Sequence, residues 1–64
     1  MFEFTEEEFK EITKKAMLNE ELTKIFEMKI KGYSIIQISM ELNMSERTVN
    51  RRIKELKNKI MRVL

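Results

Sequence analysis

The sequence predicts an all-α fold, a small four-helix domain that contains a helix-turn-helix. Proline is absent, glycine occurs once, and apolar residues recur at helical spacing. A polar residue that suits a helix N-cap precedes each apolar stretch. A chain of 64 residues has room for one small core. We therefore expect a single domain over residues 1–64, with helices at about residues 6–18, 20–31, 35–42 and 46–62.

The first helix is predicted to begin with a capping box formed by Thr5 and Glu8, whose side chains bond to each other's backbone N–H groups. Phe4 and Phe9 flank this start with the spacing of a hydrophobic staple. The apolar stripe expected to face inward consists of Phe9, Ile12, Ala16 and Met17.

The second helix is predicted to begin after Asn19, because asparagine caps helices and the acidic Glu20 and Glu21 suit a first turn. Gly32 is expected to stop it, since glycine readily adopts the left-handed conformation found at helix ends. The residues expected to face inward are Leu22, Ile25, Phe26 and Ile30.

Two closely spaced helix starts predict the helix-turn-helix. Ser34 and Gln37 have the spacing of a capping box, and the helix that they open is expected to stop at Asn43, which tolerates a left-handed backbone. Ser45 can cap the next helix at once. The intervening turn of three to four residues is typical of a helix-turn-helix.

The last helix carries an apolar stripe along its whole length, which consists of Val49, Ile53, Leu56, Ile60 and Val63. In the first half of this helix, the face opposite the apolar stripe suits duplex DNA. Arginine bridges guanine or phosphate, asparagine bridges adenine, and lysine neutralises phosphate. The predicted DNA-binding residues are Ser45, Glu46, Arg47, Thr48, Asn50, Arg51, Arg52 and Lys54. Two roles stay open: Ser45 is either a bare cap or also a phosphate contact, and Arg52 either reaches phosphate or covers the helix flank.

Charge is unevenly distributed along the chain. Residues 1–32 hold six lysines and eight glutamates, net −2, whereas residues 33–64 hold seven lysines and arginines and three glutamates, net +4. The basic half contains the predicted reading helix, as contact with phosphates requires. The alternative is that these cations form a merely solvated helix face.

Composition argues against several functions. The sequence has no cysteine and no histidine, which excludes disulfides and Cys/His zinc sites. It has no glycine-rich phosphate loop and little room for a catalytic pocket, so we expect no enzyme, no cofactor and no metal. The longest apolar run, residues 16–18, is too short to span a membrane, and we expect a cytoplasmic protein without membrane contact.

Three short motifs have counterparts in known families. Gly32-Tyr33-Ser34 looks like a Gly-apolar-Ser lead-in to a scaffold helix, Ser45-Glu46-Arg47-Thr48-Val49 like the Ser-x-x-Thr-Val opening of a recognition helix, and Lys59-Ile60 like a closing Lys-Leu. From Leu22 to Ile60 the chain thereby resembles the LuxR/GerE-type helix-turn-helix domain, and it is also similar to region 4 of bacterial sigma factors. It departs from the LuxR pattern because no separate dimer-forming helix follows Ile60 and an extra helix precedes the similar region.

The resemblance implies sequence-specific binding of double-stranded DNA, with the helix from Glu46 in the major groove, and transcriptional regulation. The competing function is a protein-interaction module whose basic helix binds an acidic partner such as an RNA polymerase subunit. A weak homodimer through apolar residues near the two ends of the chain is a further expectation. The alternative is that these residues close the ends of the monomer core. They are Phe2, Phe4, Ile60, Met61 and Leu64.

Overall fold

The computed structural model describes residues 2–64, and over this range the regular structure is entirely helical. The four helices are α1 (Glu6–Lys15), α2 (Glu20–Ile30), α3 (Ile35–Leu42) and α4 (Glu46–Val63). The long helix α4 packs against the other three, and α1 also packs against α2. The predicted all-α class is confirmed.

The helix starts lie where the capping residues predict them. At α1, Glu8 donates its backbone N–H to Thr5 Oγ1 over 3.1 Å, and Thr5 donates its own N–H to Glu8 Oε1 over 2.8 Å. Ser34 and Gln37 repeat this reciprocal arrangement at α3. At α2, Asn19 Oδ1 accepts the backbone N–H of Leu22 over 2.8 Å.

The helix ends agree with prediction at two positions and differ at a third. Gly32 (φ +90°) and Asn43 (φ 52°) adopt the left-handed conformation after α2 and α3, as predicted. Helix α1, however, ends at Lys15 instead of residue 18, because Met17 is also left-handed, with φ 52°. The ends of α2 and α4 each differ from prediction by one residue, since α2 stops at Ile30 and α4 continues to Val63.

The turn after α1 is a Schellman motif built without glycine. Met17 donates its backbone N–H to the Lys14 carbonyl over 3.2 Å, and Leu18 donates to the Thr13 carbonyl, also over 3.2 Å. This turn directs Leu18 back onto the core and leaves Met17 85% exposed. The prediction that Met17 lies on the inward stripe is therefore wrong.

The core lies where the four helices meet. Its buried residues are Ile12, Leu22, Ile25, Phe26, Ile38, Val49, Ile53, Leu56 and Ile60. Phe26 is fully buried, and the rings of Phe2, Phe4 and Phe9 lie 6.1, 5.6 and 5.0 Å from it between centroids. The N-terminal segment, residues 2–4, thus helps to close one end of the core, while Met61 and Leu64 remain largely exposed.

Candidate nucleic-acid interface

The turn between α3 and α4 fixes where α4 begins. Asn43 reverses the chain, and Met44 donates its backbone N–H to the Ser39 carbonyl over 3.0 Å. Ser45 then caps α4, since its Oγ accepts the Thr48 backbone N–H over 3.1 Å and donates to Thr48 Oγ1 over 3.0 Å. Both hydroxyl groups are therefore engaged with each other at the start of the helix.

One face of α4 is anchored in the core and the opposite face is free. Val49 and Ile53 are buried against the other helices. Helical periodicity then turns a set of polar side chains outward, and the structure leaves each of them exposed. These side chains are Glu46, Arg47, Asn50, Arg51 and Lys54. Within residues 2–64, none of the three cations in this set forms an ion pair.

Arg52 differs from the other predicted site residues because it is tied to the scaffold. Its Nε donates to Glu21 Oε1 of α2 over 2.5 Å, and its Nη1 lies 4.0 Å from Glu55 Oε1. Its side chain is only 35% exposed. Of the two alternatives for Arg52, this geometry favours the structural one.

A cleft beside the exposed face contains lysines that the sequence reasoning did not single out. The cleft has a volume of 480 Å³, and Lys29 of α2 lines it together with Asn50 and Lys57 of α4. Lys57 lies two helical turns beyond Asn50 on the same flank, a spacing that the sequence contains. No sequence signal placed Lys29 there, because its position depends on how α2 packs against α4.

Two kinds of feature are absent from residues 2–64. No helix in this range is long and apolar enough to cross a membrane. The same range contains no group of three or more acidic, histidine or cysteine side chains placed to hold a metal ion.

The arrangement of α3, the tight turn and α4 is that of a helix-turn-helix domain. The sequence profile of one family, the bacterial regulatory proteins of the LuxR family (GerE), matches residues 19–62. The chain belongs to this family, whose members are DNA-binding regulators of transcription and not enzymes. The similarity to sigma-factor region 4 stays a resemblance of short motifs.

The matched range covers α2, α3 and α4, whereas the N-terminal segment and α1 lie outside it. Comparisons with curated proteins and with solved structures found no significant match.

Proposed function

We propose that the protein binds double-stranded DNA sequence-specifically, with α4 as a recognition helix in the major groove, and thereby regulates transcription. The observation that carries this proposal is the exposed polar face of α4, whose cations have no ion-pair partner within residues 2–64. A helix of this kind fits the major groove, which is about 12 Å wide. Duplex DNA of a bacterial cell lies in the cytoplasm, where we propose that the protein acts.

The proposed contacts follow from the chemistry of each side chain. Asn50 would pair with adenine and Arg51 with guanine, because their bidentate groups match those base edges. Arg47 and Lys54, on the same exposed side, would neutralise phosphates or reach base edges. Glu46 would accept a hydrogen bond from a cytosine amino group.

The start of α4 has a different proposed role. The Ser45 and Thr48 hydroxyl groups are engaged with each other, so we propose that the first-turn backbone N–H groups other than that of Thr48 face a phosphate. Arg52 is bonded to Glu21, and we propose that it orients α4 on α2. Arg52 would then support DNA binding without contacting DNA.

We also propose a weak homodimer that is favoured on a palindromic site. Two-fold dimers place two recognition helices about 34–36 Å apart on one face of DNA, which doubles the contacts of a small domain. The support is a mainly apolar groove of 270 Å³ at the end of α4, in which Met61 and Leu64 are largely exposed. The groove is lined by Phe2, Phe4, Lys57, Ile60, Met61 and Leu64. Contact with RNA polymerase stays a prediction.

Selection of bound sequences from random duplex DNA tests the proposed function. We expect an enriched motif with two-fold symmetry, and an affinity for that motif that falls steeply with salt. An enriched motif without symmetry would support DNA reading and contradict the dimer. No enrichment, together with stronger binding to an acidic protein such as a polymerase subunit than to any duplex, would favour the protein-interaction alternative.

A further inference from the structure

The basic cleft beside α4 has a defined architecture. One wall is the last turn of α2, with Lys29 and Ile30, and the other is the middle of α4, with Asn50 and Lys57. Apolar side chains of all three matched helices line it between the polar groups. The cleft therefore begins at a proposed base-reading residue and extends away from the tip of α4.

The two lysines of the cleft are partly buried but keep access to solvent. Both are half-buried, so their aliphatic stems pack on apolar surface while their ammonium groups can reach solvent. Lys29 Nζ also donates to the Tyr33 carbonyl over 3.3 Å. Neither ammonium group forms an ion pair within residues 2–64. Glu3 lines the same cleft and contributes a negative charge to it.

The opposite flank of α4 is compensated where it packs on α2. There Arg52 is compensated by Glu21 and lies near Glu55. A helix in the major groove has a phosphate strand on each side, so the two flanks of α4 would meet two different strands. On the cleft side a lysine of α2 and a lysine of α4 line one cleft, whereas Lys59 on the other flank lies beyond the compensated Arg52.

We propose that this cleft binds the phosphate backbone of DNA, with Lys29 and Lys57 each neutralising a phosphate of the strand that runs beside Asn50. The inference rests on the proposed function, because it requires α4 to lie in the major groove. It extends the DNA footprint from the recognition helix to the end of α2. The contacts are independent of base sequence, since phosphate contacts fix orientation and carry no base information.

Titration with two duplexes, the selected site and an unrelated sequence, at several salt concentrations tests the cleft. We expect Lys29→Gln and Lys57→Gln each to weaken binding to both duplexes by the same factor, roughly tenfold near 0.1 M salt. The slope of log K against log salt should become shallower by about one for each variant. Lys14→Gln removes the same charge from the exposed surface of α1 and should leave the slope unchanged.

Two further variants test the electrostatic origin of the effect. Lys57→Arg keeps the charge and should bind like the parent, whereas Glu3→Gln removes the acidic group from the cleft and should strengthen binding to both duplexes. Thermal melts that match the parent would show that each variant is folded.

The failures of the two proposals are distinguishable. If Lys29→Gln and Lys57→Gln behave like Lys14→Gln while Arg51→Ala loses its preference for the selected site, the cleft inference is wrong and α4 still reads DNA. If the lysine variants lose affinity only for the selected site, the cleft contacts bases and the phosphate assignment is wrong. A parent protein that binds neither duplex would contradict both proposals.

Discussion

Adjacent side chains on α4 have different surroundings. This difference separates the proposed base-reading residues from those that position the helix. Arg51 is exposed and has no ion-pair partner within residues 2–64, whereas its neighbour Arg52 bonds to Glu21 on another helix. A one-residue step turns a helical side chain by about 100°, which is enough to move it from the groove-facing side to the α2 side. The two arginines should therefore respond differently to truncation.

Truncation of the proposed base-reading residues should weaken specific DNA binding. We expect Asn50→Ala and Arg51→Ala each to cost roughly 1–3 kcal/mol of binding free energy while thermal melts stay near the parent. The control is Arg52→Ala, which should instead lower the free energy of unfolding by up to about 1 kcal/mol, because its ion pair is partly exposed. If Asn50→Ala and Arg51→Ala both bind DNA like the parent in titrations at fixed salt, the docking of α4 in the major groove is wrong.

Thr13 illustrates a small defect in hydrogen bonding on α1. Its Oγ1 is buried and has no hydrogen-bond partner within residues 2–64. Valine has nearly the same shape without the hydroxyl group, so Thr13→Val should raise the free energy of unfolding by about 1 kcal/mol. Denaturant unfolding measures this change.

A second threonine provides the matched control for Thr13. The Thr23 Oγ1 donates to the Asn19 carbonyl over 2.7 Å, so Thr23→Val removes a formed hydrogen bond. We expect this variant to lose about 0.5–1.5 kcal/mol of stability. Changes of the same sign in both valine variants would show that the two hydroxyl groups do not differ in hydrogen bonding as described.

At the scale of helices, the ends depend on residues that can adopt positive φ. Gly32 and Asn43 are residue types that do so readily, whereas Met17 has a Cβ atom that makes the left-handed conformation unfavourable. The Schellman hydrogen bonds of Met17 and Leu18, and the packing of Leu18, hold the chain in this conformation. Helix α1 thus ends at a strained position.

Relief of that strain is expected to stabilise the protein. Met17→Gly should raise the free energy of unfolding by roughly 0.5–1 kcal/mol, because glycine removes a left-handed penalty of about 1–2 kcal/mol at some cost in chain entropy. The control is Met40→Gly, which affects another exposed methionine, inside α3. That variant should lose about 1 kcal/mol. Thermal or denaturant unfolding in which both variants lose stability would contradict the left-handed geometry of Met17.

At the scale of the whole molecule, the end opposite the α3–α4 turn carries unpartnered apolar surface. Phe2 and Phe4 pack against Phe26 and so contribute to the monomer core. Met61 and Leu64, by contrast, are 73% and 76% exposed beside the same groove. Met61 and Leu64 line this groove and project from it, so two copies related by a two-fold axis could bury them in an isologous contact.

A charge at this surface should impair assembly more than folding. We expect Met61→Glu to reduce dimerisation and cooperative binding to a palindromic site, because a carboxylate is costly to bury in an apolar contact. Met40→Glu introduces the same charge at an equally exposed methionine of α3 and should leave assembly unchanged. Light scattering and DNA titration measure both effects. A parent that stays monomeric and binds single half-sites without cooperativity would contradict the dimer.

The sequence by itself determined most of the fold of this protein, because the signals involved are local. An N-cap and its partner lie three residues apart, so Thr5, Asn19 and Ser34 could be assigned without tertiary information. The stops at Gly32 and Asn43 follow from single-residue backbone preferences. The exposed side of α4 follows from helical periodicity once Val49 and Ile53 are assigned to the core.

Only the tertiary structure decided which side chains have partners, because partners come together through packing of distant segments. Arg52 meets Glu21 across 31 positions of the chain, a pairing that no local pattern contains. Lys29 reaches the flank of α4 for the same reason. Met17 adopts a conformation that its own preference opposes, because Leu18 must return to the core before Asn19 can cap α2. Long-range packing thus determines which charged side chains around α4 have ion-pair partners. The proposed DNA footprint depends on that distribution.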